Sequence, residues 1–119
     1  EHGGMSWHEV ATRDLDAART FYSELFNLAP NKMEGMEYYI MQHGDDMVCG
    51  VMQMDENWEG IPPHWMGYFT VDDTDAAIER VVAAGGKVMV PAFDMPYGRM
   101  AVVADPMGAA FSIVKPPAA

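Results

Sequence analysis

Trp7 to Thr12 alternates in the manner of a half-buried strand. The period then changes. Leu15, Ala18, Phe21, Leu25 and Leu28 recur at three- and four-residue steps, which predicts an amphipathic helix. Asp14 stands where an N-cap belongs, and Pro30 is expected to stop the helix. Beyond Lys32 the period shortens again. Glu37 to Gln42 and Asp46 to Met54 read as a hairpin around His43-Gly44-Asp45. Asp55 to Pro63, with Asn57, Gly60, Pro62 and Pro63, reads as a connector.

The same order returns after the connector. Trp65 to Val71 predicts a strand. Asp73 can cap a helix whose apolar face is Ile78, Val81 and Val82, and Gly85-Gly86 ends it. Lys87 to Asp94 and Arg99 to Asp105 predict strands around Pro96-Tyr97-Gly98. A turn at Asp105-Pro106-Met107-Gly108 then leads to a last strand, Ala109 to Lys115. The pentapeptides Asp14-Leu15-Asp16-Ala17-Ala18 and Asp73-Thr74-Asp75-Ala76-Ala77 lie 59 residues apart and agree at four of five positions. The chain therefore reads as two tandem β-α-β-β-β modules of α+β class. Module one is expected over about 5–55, the connector over 56–63 and module two over about 64–119, in one domain. Residues 1–4 carry no pattern and are set aside as an expression remnant before Met5.

Composition narrows the function classes. At 119 residues, 50% hydrophobic and 21% charged, the chain is ordinary globular. Lys and Arg number 7 against 18 Asp and Glu, a net charge of -11. Seven cations do not readily build the basic face that phosphate contact needs, so neither nucleic acid nor an anionic membrane is expected as a partner. No apolar run reaches the roughly 18–20 residues of a membrane span, and no signal segment opens the chain. One cysteine, Cys49, excludes an internal disulfide framework and points to a reducing, cytoplasmic compartment. The twelve methionines read as core filler. Met52 and Met54 form the best soft-metal pair, yet strand alternation places them on one face without a metal.

Three stretches resemble the vicinal oxygen chelate superfamily of glyoxalases, extradiol dioxygenases, and fosfomycin and bleomycin resistance proteins. They are Trp7-His8-Glu9-Val10-Ala11-Thr12-Arg13-Asp14-Leu15 with Ala18 and Phe21-Tyr22, then Tyr68-Phe69-Thr70-Val71-Asp72-Asp73, then Asp105-Pro106-Met107-Gly108-Ala109-Ala110-Phe111. The Trp-His-Glu opening and the Pro-Pro-His-Trp linker look most like an uncharacterised bacterial glyoxalase-like branch. The resemblance implies curved mixed sheets that form a cleft, and a homodimer that completes the clefts.

Metal-using relatives place His and Glu ligands at set distances from the helix cap and the terminal turn. Those positions carry Trp7, Met66 and Ser112 here. Indole has no lone pair to give, and thioether and neutral hydroxyl are poor ligands for zinc, iron or nickel. No cofactor is therefore expected. A non-standard Glu9/His64 metal pair stays open, because Glu9 shares strand phase with Trp7, and His64 with Met66. His8 has the opposite phase.

Strand phase assigns Trp7, Glu9, Ala11, His64, Met66, Tyr68, Thr70, Ala110, Ser112 and Val114 to the expected cleft. This is a largely apolar, aromatic lining of the kind that holds small molecules. Glu9 is its one carboxylate. It reads either as an anchor or general base, or as a structural group hydrogen-bonded to a neighbouring Tyr or backbone N–H. Tyr38, Tyr39 and Tyr97 read as half-buried strand aromatics within reach of the cleft. Trp58 and Trp65 read as anchors of the connector or as a lid. Cys49 reads as a buried, inert thiol. The functional expectation is a metal-free protein binding a small, cationic or aromatic molecule. The alternatives are a lyase, isomerase or dioxygenase-type enzyme, metal-dependent or using Glu9 as base, and a structural module whose cleft is filled by its own side chains.

Overall fold

The computed structural model describes residues 2–117. Residue 1 of the expected remnant and residues 118–119 of module two lie outside the described residues. Among the described residues there are two α-helices and eight strands. In chain order these are β1 (Met5–Thr12), α1 (Leu15–Phe26), β2 (Ala29–Lys32), β3 (Tyr38–His43), β4 (Asp46–Gln53), β5 (His64–Thr70), α2 (Thr74–Ala83), β6 (Lys87–Met95), β7 (Gly98–Ala104) and β8 (Ala110–Lys115). The fold is α+β. No helix among the described residues is long and apolar enough to cross a membrane.

The chain divides into two compact units, residues 7–66 and residues 67–119 with 1–6. In the first, strands run β2-β3-β4-β1 across the sheet, with β1 parallel to β4 and the other neighbours antiparallel. In the second the order is β6-β7-β8-β5, with β5 parallel to β8 and the rest antiparallel. Each unit thus repeats one strand plan. Gly3 and Gly4, which carry no sequence pattern, exchange backbone hydrogen bonds with Thr70 (2.7 and 2.8 Å) inside the second unit.

Both helices start where an aspartate can cap them. Asp14 and Asp73 have extended backbones, and each side chain accepts a 3.0 Å bond from the third residue on, Ala17 N–H and Ala76 N–H. Under α1, Val10, Leu15, Leu28, Met41, Cys49 and Val51 form the core of the first unit, with Ala18, Tyr22 and Tyr39 against it. Under α2, Val71, Ala77, Ala101, Val103 and Ile113 form that of the second, joined by Ile78 and Val81.

Three expectations need correction. The first helix ends at Phe26, not at Pro30. Asn27 takes the left-handed conformation (φ 56°), which its short polar side chain tolerates, and Ser23 Oγ then donates to the carbonyl of Leu28. Pro30 lies in β2, at the end of the strand order, where a missing N–H is tolerated. Phe21 and Leu25 do not enter the core but are 58% and 57% exposed. The core stripe turns instead through Leu15, Ala18 and Tyr22. Val82 is likewise exposed, and Ala77 takes the buried place on α2.

Arg13 ties the connector down. Its guanidinium donates to the carbonyls of Asp55, Trp58 and Ile61. In the second unit Arg99 grips Asp75 through two bonds (2.9 and 3.2 Å) and Asp94 through a third (3.2 Å).

Candidate functional site

The parallel register of β1 and β4 sets Glu9 opposite Gly50. On the other side of Gly50 runs β3, with Ile40 opposite it and Tyr38 two residues back. Any Cβ at position 50 would overlap the Tyr38 hydroxyl. Glycine therefore opens a gap in the middle of a strand, and the tyrosine fills it. From there Tyr38 Oη donates to Glu9 Oε1 at 2.8 Å. Tyr38 Oη in turn accepts from Trp7 Nε1 at 2.7 Å. Glu9 is 6% exposed and Tyr38 8%. The result is a chain of hydrogen bonds within one unit, from a half-buried indole through a buried phenol to a buried carboxylate. Burial makes the Tyr38–Glu9 bond costly to lose, because both partners are cut off from water.

This arrangement decides what the first strand can do chemically. Trp7, at a position where the resemblance leads one to expect a metal ligand, uses its only polar atom to donate. It has nothing to offer a cation as a ligand, although its ring face can attract one. Met66 is a buried thioether, and Ser112 a neutral hydroxyl. These three donors do not suit a hard or borderline dication. Among the described residues no three His, Cys, Asp or Glu side chains gather as a metal group.

The other expected site residues fall as follows. Ala11 is buried beside Glu9 on the strand. His64 is engaged by the connector: its Nδ1 lies 2.8 Å from the Pro62 carbonyl, and its ring leans on Trp58 at 6.0 Å. His8 is exposed. In the second unit Tyr68 stands opposite Ser112 in the parallel pair β5/β8, and Ser112 stands opposite Val102 in β7. Thr70 and Val114 are buried beside them, whereas Ala110 is exposed.

Tyr39 turns toward α1, where Arg19 sits 5.2 Å over its ring. Tyr97 is exposed. Trp65 packs edge-on against Tyr22 at 5.1 Å. Cys49 is buried, and burial pushes its thiol above the ordinary range, so little nucleophilic thiolate forms. Sequence reasoning allowed Glu9 a tyrosine partner but did not assign Gly50 any part. Its signal was a glycine inside a strand pattern, which marks close approach of another group.

Residues 4–113 match the sequence profile of the Glyoxalase/Bleomycin resistance protein/Dioxygenase superfamily. The chain belongs to this superfamily. It is 41% identical to "Putative glyoxylase CFP32" of Mycobacterium tuberculosis over 120 residues, covering 98% of this chain and 45% of that protein. It is 36% identical to "Anthracycline biosynthesis protein DnrV" of Streptomyces peucetius over 115 residues, covering 95% and 42%. The chain thus spans less than half the length of these relatives. Among solved structures, methylmalonyl-CoA epimerase from Mycobacterium tuberculosis matches with a TM-score of 0.67 at 18% identity, over 97% of this chain and 89% of that one. That likeness is one of fold.

Proposed function

We propose that this chain is a small-molecule-binding member of the superfamily that works without a metal at the family position. Its polar anchor is Glu9, and its ligand is cationic or hydrogen-bond-donating, with an aromatic body. The observation that carries this reading is the Trp7–Tyr38–Glu9 hydrogen-bond chain, built around Gly50. It holds a carboxylate in a fixed orientation beside an indole ring, and a ring face attracts a cation by roughly 0.5–2 kcal/mol. A net charge of -11 favours approach of cations. The name of DnrV ties that relative to anthracycline biosynthesis. An anthracycline glycoside joins a planar polycycle to an amino sugar, which is the chemistry this anchor would recognise. Daunorubicin, whose own fluorescence reports binding, is therefore the probe. Wild-type protein is expected to quench it saturably. Glu9→Gln keeps the shape and removes the charge. Its expected loss is tenfold to hundredfold in affinity, since a charge-assisted bond contributes roughly 1.5–3 kcal/mol. Unchanged affinity in a folded variant would make Glu9 structural.

A second reading rests on the same bond. Tyr38 orients Glu9 as a general base would need to be oriented, so an enzyme using Glu9 as base is the alternative. Turnover of a candidate substrate abolished by Glu9→Gln, with binding retained, would favour it.

Pairing of two copies and a cytoplasmic setting belong to the same proposal. Phe21, Leu25, Phe26 and Trp65 are all about half exposed, and ring contacts through Tyr22 join the three aromatic ones into one patch. A second copy of this chain is the occupant proposed for it. Light scattering at tens of micromolar is expected to give twice the 13.2 kDa chain mass. A monomer under those conditions would overturn the pairing.

A further inference from the structure

In β8, Ser112, Ile113 and Val114 are all buried, with Phe111 half-buried before them. Phe111 and Ile113 join the core under α2, so Ser112 and Val114 take the other face. Register places Tyr68, Val102 and Met100 on that same face: Tyr68 and Val102 flank Ser112, and Met100 pairs with Val114. Ser112 is 1% exposed, and its Oγ has no hydrogen-bond partner. It is the one buried side-chain polar atom among the described residues of which this is true.

A hydroxyl shut away from water without a partner destabilises a folded chain, and an alanine there would not. The first unit shows what the same place looks like when satisfied. There Glu9 and Gly50 occupy the parallel pair, and Tyr38 brings a hydroxyl into the gap. Nothing plays that part for Ser112. Its face-mates are Tyr68 and the apolar Met100, Val102 and Val114, and a methionine with three free torsions can swing aside to admit a guest.

We propose that Ser112 Oγ is the polar anchor of a ligand subsite in the second unit, which takes a neutral hydroxyl or carbonyl group carried on an aromatic or apolar body. The hydroxyl is left unpaired in the free protein because the ligand completes it. The Ser112 anchor differs from the Glu9 anchor in the unit that carries it and in the uncharged group that it takes.

Phenol is the minimal probe, and toluene is the same ring without the hydroxyl. Backbone amide shifts of the full chain are followed through titrations of wild type and Ser112→Ala, and both are melted without ligand. Phenol is expected to move the amides of Ser112 and Val102 in wild type, and to bind Ser112→Ala about fivefold to tenfold more weakly. Toluene is expected to bind the two alike. Ser112→Ala alone is expected to melt at or above the wild-type temperature. An unmoved Ser112 amide, equal phenol affinity in the variant, or a lower melting temperature would each overturn the proposal; the last would mean that the hydroxyl already has a partner. Daunorubicin with Glu9→Gln tests the other anchor, so either can fail while the other stands.

Discussion

In the unit of residues 7–66, the register of the parallel strand pair sets Glu9 opposite Gly50; in the second unit it sets Tyr68 opposite Ser112. Glu9 and Tyr68 stand 59 residues apart, the same interval as the helix caps Asp14 and Asp73. The backbone plan is the same, and the caps match in geometry and bond length. The interiors differ. The first unit gives up a side chain at position 50 so that Tyr38 can satisfy a buried carboxylate. The second keeps a small polar side chain and leaves it unsatisfied. The arginine clasps differ as well, since Arg13 grips backbone carbonyls of the connector, whereas Arg99 grips carboxylates. What the two units share sets the backbone. What separates them is the polar interior, and a ligand would be recognised there.

The largest expected effect breaks this comparison at its centre. Gly50→Ala drives a methyl into the Tyr38 hydroxyl. Overpacking costs roughly 1–3 kcal/mol, and the lost bond to Glu9 adds roughly 1.5–3 kcal/mol. Urea unfolding should show a loss of several kcal/mol, with Ser112→Ala as the silent counterpart in the other unit. Equal losses at the two positions would mean that Gly50 is not a designed gap.

A middle-sized effect tests the shared part. Asp14→Ala and Asp73→Ala should each cost about 1 kcal/mol, because each leaves a first-turn N–H without its acceptor. Thermal melts of the two variants are expected to agree closely. A wide disagreement would mean that the repeat holds in sequence but not in energetics.

The smallest effect concerns the clasp unique to the second unit. The Arg99 guanidinium, hydrogen-bonded to Asp75, holds that carboxyl below its ordinary value of 3.8. Ionised Asp75 therefore adds stability above that pH, and the contribution fades as pH falls through the lower folded value. Melting temperatures between pH 2 and 6 should fall slightly less on the acid side in Asp75→Asn than in wild type. Both side chains are substantially exposed, so salt should shrink the difference.

Much of the plan was legible in the residues alone. The two aspartate caps, the hairpin at His43-Gly44-Asp45, the Asp105 turn and the 59-residue repeat rest on local chemistry, which acts over a few positions in any context. Strand period also put Trp7 and Glu9 on one face and His8 on the other. The helix end was less legible: Pro30 is the stronger breaker, but Asn27 came first and could adopt the left-handed turn. Phe21 and Leu25 match a helical period as well as Leu15 does. Period alone does not say how wide a stripe the core covers, and here it turned toward Tyr22.

The sequence by itself determined the order of elements, their caps and turns, and the side of β1 on which Glu9 lies. Only the tertiary structure decided who meets Glu9. Tyr38 is 29 residues away, and its hydroxyl arrives only because β3 and β4 pair in one register and position 50 has no Cβ. Ser112 depended still more on the assembled sheet. An alternating pattern can bury a hydroxyl, but whether a partner waits for it is settled by neighbours on other strands, and those are set by register rather than by local preference.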